Sequence, residues 1–384
     1  MAAVVAALHA ARITQGEEVA RFEQAVADYV GAAHAVACNS ATSGLWLAYR
    51  ALGLVAGSWL WTSPNTFVAT AAMALQCGAR VRFIDTDPAS GNLSLEALQA
   101  ALEQAERDGT LPRIVVPVHF AGRPCDMAAI GRLAERYGFD VVEDAAHALG
   151  ARAAGEPVGS CRYSAVTVFS FHPVKAITTG EGGMALTQRA DLAERMVRLR
   201  SHGVVRQPAQ QQALGGWHYT VEEAGFNFRL TDFQAALGRA QLARLDGFIE
   251  RRRVLAERYR KRLADLPLQL PHREDDASCA WHLYVVQFAD SAIRRQVYER
   301  LIEAGIGAQL HYVPLYRQPL FVGAEQPEDF PGCEQYYNRA LTMPLYPQLS
   351  EQEQDRVVTL LAAQVKSICD ATSQGGSMPE QGIV

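Results

Sequence analysis

The chain has 384 residues, of which 49% are hydrophobic and 20% charged, and its formal net charge at pH 7 is −5. A length beyond the ~250–300 residues at which single cores tend to divide predicts two domains. The mild acidity argues against nonspecific nucleic-acid binding, and no apolar run reaches the ~18 residues of a membrane span. We therefore expect a globular protein that has neither nucleic acid nor membrane as a partner.

The seven cysteines are spaced singly, without a CxxC pair or zinc-ligand spacing. This pattern predicts no metal site, and reduced thiols are typical of a cytoplasmic protein. The opening stretch MAAVVAALHAARI is apolar but lacks a basic n-region and a cleavage site. It predicts a short helix rather than an export signal.

Short β-branched runs alternate with helical patterns in the first half of the chain. The predicted strands are His34–Cys38, Trp59–Ser63, Arg80–Asp85, Ile114–His119, Asp140–Glu143, Ala165–Phe169 and Met184–Thr187. The predicted helices are Glu17–Val30, Thr42–Leu52, Phe67–Cys77, Leu95–Arg107, Met127–Tyr137 and Leu192–Arg200. Such alternation predicts an α/β large domain over residues 1–245, built on a seven-stranded, mostly parallel sheet.

The second half of the chain predicts a smaller α+β domain over residues 246–370. Residues 231–263 form one long helix or two joined helices in this prediction. The elements expected after them are strand Trp281–Phe288, helix Ala292–Ala304, strand Ala308–Tyr312, and helices near Gln335–Leu341 and Glu351–Ile368. The polar, glycine-bearing tail over residues 371–384 predicts disorder.

A polar segment, NSATSG over residues 39–44, follows the first predicted strand and opens a helix. Free N–H groups and the helix dipole make such a junction suitable for a phosphate, and the hydroxyls of Thr42 and Ser43 add donors. Ser and Thr are also common as ordinary helix caps, so this segment leaves both interpretations open.

Asp144 ends an apolar strand in the segment EDAAH. Carboxyl ends of strands in open α/β sheets face ligand crevices. A carboxylate there can hold a protonated ring nitrogen or a metal, or it can cap the next helix. The metal interpretation needs more ligands than His147 alone supplies.

Lys175 follows a hydrophobic strand in FSFHPVK and precedes the glycine-rich turn TTGEGG. A partly dry setting disfavours the charged form of a lysine and lowers its pKa. A neutral amine is what Schiff-base chemistry requires. An exposed loop lysine is the alternative. The phosphate segment, Asp144 and Lys175 together are the three parts that a pyridoxal-phosphate enzyme needs.

Several longer stretches resemble a known family, from about Ile13 to about Val365. The matching stretches are ITQGEEVARFE, CNSATSGL, SPNTFVATA, FIDTDP, VVEDAAHALGA, FSFHPVKAITTGEGG, LRSHGV, GFNFRLTDFQAALG and HYVPLY. They are similar to the DegT–StrS sugar aminotransferases, which have the fold-type-I aminotransferase architecture and use pyridoxal 5′-phosphate. The branch most similar makes the 4-amino precursor of pseudaminic acid. It aminates a UDP-linked 4-keto-6-deoxy-N-acetylhexosamine with glutamate as the usual donor.

The resemblance implies specific roles around the cofactor ring. Lys175 is the Schiff-base lysine and proton shuttle, and Asp144 pairs with the pyridinium nitrogen. Phe67 stacks on the ring, although an ordinary core aromatic would fit the same pattern. His147 contacts the phenolic oxygen.

The resemblance also implies a shared active site in a homodimer. Thr42, Ser43 and Ser170 hold the phosphate, and Asn227 reaches it from a second subunit; as a turn residue, Asn227 would have no such role. The substrate contacts that the resemblance implies are Ile13, Thr14, Ala41, Ser170, Asn227, Arg229, His311, Tyr312, Val313 and Pro314. His311 and Tyr312 would also fit as packing residues at the end of a strand.

Other functions remain open from sequence. The same reaction could occur on a 3-keto sugar, or on a dTDP- or GDP-linked one. A dehydratase of the same family has His in place of the lysine, so Lys175 argues against that activity. A catalytically silent, cofactor-binding regulator of the same fold would keep the motifs. A scaffold without cofactor would leave Lys175 and Asp144 unexplained.

Overall fold

A computed structural model describes residues 2–271, 278–323 and 325–374. Its helices are α1 (Ala2–Leu8), α2 (Glu17–Val30), α3 (Ala41–Ala51), α4 (Ala69–Gln76), α5 (Leu95–Asp108), α6 (Met127–Tyr137), α7 (Ala190–Arg200), α8 (Pro208–Leu214), α9 (Asp232–Leu242), α10 (Leu245–Leu263), α11 (Ser291–Glu303), α12 (Pro331–Arg339) and α13 (Glu351–Gln374). Its strands are β1 (His34–Cys38), β2 (Trp59–Thr62), β3 (Arg80–Phe83), β4 (Ile114–Val116), β5 (Asp140–Asp144), β6 (Arg152–Ala153), β7 (Glu156–Pro157), β8 (Val166–Ser170), β9 (Gly183–Thr187), β10 (Val204–Val205), β11 (Thr220–Val221), β12 (Tyr284–Gln287) and β13 (Ala340–Met343).

Seven strands form the central sheet in the order β1-β9-β8-β5-β4-β2-β3. The neighbours from β8 to β3 are parallel, whereas β9 is antiparallel to both β1 and β8. The parallel strands are apolar along their whole length because helices cover both faces of the sheet. This confirms the predicted α/β class and its seven-stranded, mostly parallel sheet.

Local sequence signals set the helix ends. The left-handed backbone of Gly31, at φ +78°, ends α2, a conformation that glycine adopts without steric cost. The Ser94 and Asp126 side chains accept hydrogen bonds from backbone N–H groups at the starts of α5 and α6. These caps explain why the predicted bounds of the amphipathic helices lie close to those observed.

Two apolar layers sandwich the sheet. One layer packs α3 and α7 against the face that includes Val142 and Val168. The other packs α2 and α9 against the face that includes Phe169 and Met184. The sheet is therefore buried on both sides, so a site that uses its strands lies at the loops beyond their ends.

The elements from α10 to α13, with the antiparallel pair β12–β13, form what we call the C-terminal unit. It has its own core, which includes Leu255, Tyr284 and Val358. A bidentate ion pair, from Arg258 to Asp355, ties α10 to α13 at 2.9 and 3.0 Å. The boundary predicted between residues 245 and 246 falls in the first turn of α10, and the division into two domains stays a prediction.

Three predictions for this unit differ from the structure. Residues 308–312 form no strand and make a single bridge, Gln309 to Thr342. The ALTM segment, predicted as the end of a helix, is strand β13, because its apolar residues pair with β12. Helix α13 continues to Gln374, past the predicted start of the tail; residues 375–384 lie outside the described residues. None of the helices in the described ranges is long and apolar enough to cross a bilayer.

Gly183 is expected to be irreplaceable at the first position of β9. A Cβ there would lie 2.4 Å from the carbonyl carbon of Ser40 and 2.5 Å from the amide nitrogen of Ala41. Gly183→Ala should therefore push β9 away from the start of α3 and lower the free energy of unfolding by about 1–3 kcal/mol. Urea unfolding measures this loss.

The matched control is Gly247→Ala, in helix α10, where an added Cβ meets nothing within 4 Å. This change should leave stability unchanged or raise it by up to about 1 kcal/mol. Equal effects of the two substitutions would contradict the close approach at Gly183.

Candidate active site

The candidate site is a cavity of about 340 Å³ above the carboxyl ends of β5 and β8. Asp144 and Ser170, the last residues of these strands, line it together with Thr42 at the start of α3. The volume falls within the ~300–1,000 Å³ of small-molecule sites. The parallel topology thus collects polar groups from distant parts of the chain at one edge of the sheet.

Asp144 is buried, and its carboxylate is held from two sides. The Thr70 hydroxyl donates to Oδ2 at 2.6 Å, and the amide of Ala146 donates to Oδ1 at 3.2 Å. Thr66 and Thr70 share a further hydrogen bond of 2.8 Å between their hydroxyls. The carboxylate is therefore fixed in one orientation with its charge beside the cavity.

Lys175 lies in the loop between β8 and β9 and lines the same cavity. Burial lowers the pKa of its amine from the ordinary 10.5 to about 8, against the opposing charge of Asp144, which raises it. The desolvation cost exceeds the attraction because Asp144 is not in contact with the amine through any hydrogen bond described here. A substantial neutral fraction of the amine is consequently present near pH 8.

The start of α3 forms the other end of the cavity. Ser40 caps the helix by accepting from the Ser43 amide at 3.1 Å, which leaves the Ala41 and Thr42 amides at the helix terminus. Such a terminus is an anion site, since the first N–H groups have no intrahelical acceptor. Gly183 allows β9 to lie directly against it.

His147 is buried between two other rings. Its ring centroid lies 4.2 Å from that of His282, and the Tyr312 hydroxyl lies 3.4 Å from its Nε2. Burial, with the positive charge of Lys175 and the neighbouring histidines, holds the pKa of His147 well below its usual range. Its Nδ1 is buried without a hydrogen-bond partner among the described residues, so a polar atom in the cavity could bond to it.

The structure brings together most of the residues predicted for the cofactor. The predicted cofactor contacts that line the cavity are Thr42, Phe67, Asp144, His147, Ser170 and Lys175, and Ala41 and Tyr312, predicted as substrate contacts, line it too. Phe67 is 58% exposed and lies 6.3 Å from the ring of Tyr312, so it is not an ordinary core aromatic. Its open face suits stacking on a ligand.

Other predicted residues lie away from this cavity. Ser43 is buried, and its hydroxyl donates to Asn39 at 2.6 Å rather than facing the cavity. His311 lines a neighbouring cavity, where Nδ1 lies 2.9 Å from the Thr342 hydroxyl. The predicted residues that line neither cavity are Ser43, Ile13, Thr14, Asn227, Arg229, Val313 and Pro314.

Sequence reasoning missed three contributors. Thr66 and Thr70 are four residues apart in NTFVATA, a spacing that places two hydroxyls on one side of a turn, so the pair was detectable. His282 carried no signal because its contact with His147 joins segments far apart in the chain.

A helix terminus with free N–H groups, a buried carboxylate and a lysine of lowered pKa lie around one cavity. These are the parts that one class of protein needs, the pyridoxal-phosphate-dependent aminotransferases. Comparisons with known proteins agree. The model of the DegT/DnrJ/EryC1/StrS aminotransferase family matches residues 1–362. The Bacillus subtilis spore coat polysaccharide biosynthesis protein SpsC is 37% identical over 372 residues, 94% of this chain and 93% of that protein.

A Campylobacter jejuni UDP-4-amino-4,6-dideoxy-N-acetyl-beta-L-altrosamine transaminase is 34% identical over 365 residues, 93% of each chain. Helicobacter pylori PseC, an aminotransferase involved in the biosynthesis of pseudoaminic acid, superposes with a TM-score of 0.88 at 28% identity, covering 95% of this chain and 96% of that one. The S. venezuelae DesV structure, with a ketimine intermediate, gives 0.85 at 32% identity, with 95% and 94% covered.

The chain belongs to the DegT/DnrJ/EryC1/StrS aminotransferase family. The predicted family, fold class, aminotransferase activity and pyridoxal-phosphate cofactor are confirmed with it. The cavity fits this cofactor, since it offers an anion site at one end, a carboxylate behind and an amine within reach.

Lys175→Met is expected to stabilise the cofactor-free protein at pH 7, because the folded state then holds no buried ammonium. The folded-state pKa of about 8 lies below the ordinary 10.5, so the unfolded chain binds more protons between these values. Wild-type stability therefore rises with pH across that window. The variant's advantage should be at most about 3 kcal/mol below pH 8 and should vanish above pH 10.5.

Urea unfolding of both proteins over this pH range measures the difference. Lys261→Met, at a side chain that is 73% exposed, is the matched control. A stability difference that stays constant from pH 7 to 10.5 would show that the Lys175 amine is not desolvated.

Proposed function

We propose that this enzyme transfers an amino group from glutamate to C4 of a UDP-linked 4-keto-6-deoxy-N-acetylhexosamine, with Lys175 as the proton carrier. The observation that carries the proposal is that Lys175 and Asp144 face one cavity beside a helix terminus. The likeness to the C. jejuni transaminase supports the choice of sugar. The likeness to H. pylori PseC supports pseudaminic acid biosynthesis as the pathway that uses the product.

The cofactor supplies an aldehyde that condenses with amines and a ring that accepts an electron pair. The amides at the start of α3, with the hydroxyls of Thr42 and Ser170, would hold its phosphate. Asp144 would accept a hydrogen bond from its ring nitrogen, held in place by Thr70. Phe67 would cover one face of the ring.

Lys175 would move the proton in both halves of the reaction. As a neutral amine it accepts a proton from the amine-bearing carbon of the donor. As an ammonium it gives a proton to the sugar carbon. A pKa near 8 suits both directions, because a group that titrates near the working pH exchanges protons at low cost.

Asp144 would keep the ring nitrogen protonated. Its two hydrogen bonds, from Thr70 and Ala146, hold the carboxylate in one orientation. His147, neutral and buried, would contact the oxygen next to the aldehyde carbon. Each group therefore has one position relative to Lys175.

A panel of UDP-, dTDP- and GDP-linked keto sugars, incubated with glutamate and analysed by mass spectrometry, tests the substrate. Amination of the UDP-linked 4-keto-6-deoxy-N-acetylhexosamine above the other sugars is expected. Preference for a 3-keto sugar or another nucleotide would change the substrate but not the reaction. If none of the keto sugars is aminated, the result would favour a cofactor-binding regulator without catalytic activity.

A homodimer with shared active sites belongs to the same proposal. Large apolar side chains are exposed on the segment from α8 to residue 226, among them Leu214 at 56%, Trp217 at 79% and Phe226 at 51%. Surfaces of this kind favour an interface. Asn227 directly follows the segment and is itself exposed, so it could reach a second subunit.

The proposed reaction suits the cytoplasm. Six buried cysteines in the described ranges form no disulfide. Free thiols persist in reducing compartments.

Lys175→Arg is expected to lower amino transfer by at least about a thousandfold, because a guanidinium keeps its proton and cannot serve as a base. Lys261→Arg, the same change at an exposed position, should leave the rate unchanged. Release of 2-oxoglutarate from glutamate gives the rate. If Lys175→Arg still turns over, Lys175 is not the base in amino transfer.

Mixing two inactive variants tests the shared site. Lys175→Arg and Asn227→Ala should each be inactive alone, and mixed dimers should regain one intact site. Random exchange makes half of the dimers mixed, and each mixed dimer has one intact site of two. Up to about a quarter of the wild-type rate is therefore expected. A mixture as inactive as its parents, after exchange is confirmed by mass spectrometry, would place Asn227 in the site of its own chain.

A further inference from the structure

A second cavity, of about 550 Å³, lies between the loop that carries Lys175 and the C-terminal unit. It shares four wall residues with the first cavity: His147, Val174, Lys175 and Tyr312. The lysine therefore lies at the junction of the two cavities. A molecule in the second cavity would meet the reacting amine directly.

The second cavity is lined by cations without opposing carboxylates. Lys175, Arg244 and Arg252 contribute to its wall, and none of the described residues that line it is Asp or Glu. Its other polar groups include the amides of Gln241, Gln309 and Gln348, which can donate hydrogen bonds. This lining suits an anion.

Arg252 is the strongest indication. It is only 4% exposed, and its Nη1 donates to the carbonyl oxygens of Trp281, His282 and Leu345 at 2.8–3.2 Å. Its Nε is buried without a partner among the described residues. Burial lowers the pKa of this guanidinium to about 10, which leaves it charged at neutral pH. A buried charge bonded only to neutral carbonyls is stabilised by an anion nearby.

Three histidines around the lysine remain neutral, so they add no charge to the wall of the cavity. Burial, and after it the charge of Lys175, lowers the pKa of all three. The pKa of His147 and that of His282 lie far below the usual range, and the pKa of His311 is about 4. His282 also has a buried Nδ1 without a partner among the described residues. Neutral imidazoles here can donate an N–H without adding charge.

We propose that the second cavity binds the carboxylates of a dicarboxylic amino donor, a proposal that rests on the aminotransferase function above. The α-carboxylate of such a donor is one bond from the amine-bearing carbon, so it must lie beside Lys175, within reach of Arg252 and His282. The side-chain carboxylate then extends towards Arg244 at the mouth. In a nucleotide sugar the diphosphate is separated from the keto carbon by the sugar ring, so it matches an anion site beside the lysine less well.

Arg244 offers the sharpest test, because it is exposed and lies over the ring of Phe248 at 4.9 Å, without a carboxylate partner in the described residues. Arg244→Gln should raise the KM for glutamate in the donor half-reaction about tenfold and leave its kcat within twofold. Arg244→Lys should recover most of the loss. The matched control is Arg253→Gln, on the same helix, where the side chain pairs with Glu250 and lines neither cavity.

Calorimetry on the holoenzyme provides a readout independent of turnover. Glutarate, a dicarboxylate without an amine, should bind the wild type and the Arg253→Gln control equally, and Arg244→Gln about tenfold more weakly. UDP should bind all three equally. Weaker UDP binding to Arg244→Gln, with unchanged glutarate binding, would assign the cavity to the nucleotide and overturn the proposal. Unchanged binding of both ligands, with an unchanged KM for glutamate, would also overturn it.

Failure of the proposed acceptor is separable from failure of this site. The donor half-reaction needs glutamate and no sugar. If glutamate is consumed and the KM rises in Arg244→Gln, the donor site stands even when no keto sugar is aminated. If a keto sugar is aminated and the KM for glutamate is the same in Arg244→Gln as in the wild type, the proposed acceptor is supported and the proposed donor site is wrong.

Discussion

Burial of the Lys175 amine near the Asp144 carboxylate, without contact between them, is the constraint on which the site depends. Contact would form an ion pair and keep the lysine protonated, whereas full separation would let burial lower its pKa further. The Thr70 hydroxyl, at 2.6 Å from Asp144, holds the carboxylate away from the amine. The pKa of about 8 is the result of this balance.

The sheet topology creates that geometry. Five parallel strands place Asp144 and Ser170 at one edge, and β9 then returns antiparallel between β1 and β8. The return brings Gly183 against the start of α3, so the loop with Lys175 is fixed at both ends. A loop that was anchored only to β8 would let the amine reach solvent.

Local patterns predicted the part of the site that local structure determines. Asp144 ends one apolar strand and Lys175 lies in the loop after another, so their place at the carboxyl edge could be inferred from the strand pattern alone. The contacts of Thr70 with Asp144 and of His282 with His147 could not, because each depends on how distant elements pack. Ser43 stays a predicted phosphate contact, and in this structure its hydroxyl donates to Asn39.

The position of α10 makes the two parts of the chain interdependent. Arg244 immediately precedes this helix and Arg252 lies within it, and both line the second cavity. Leu255 of the same helix packs into the separate core of the C-terminal unit. Arg252 also bonds to the carbonyls of Trp281, His282 and Leu345, so the wall of the second cavity is set by the fold of that unit. One amine can then serve two substrates in turn. The sheet fixes the first cavity, where the cofactor would lie, and the C-terminal unit shapes the second cavity on the other side of Lys175.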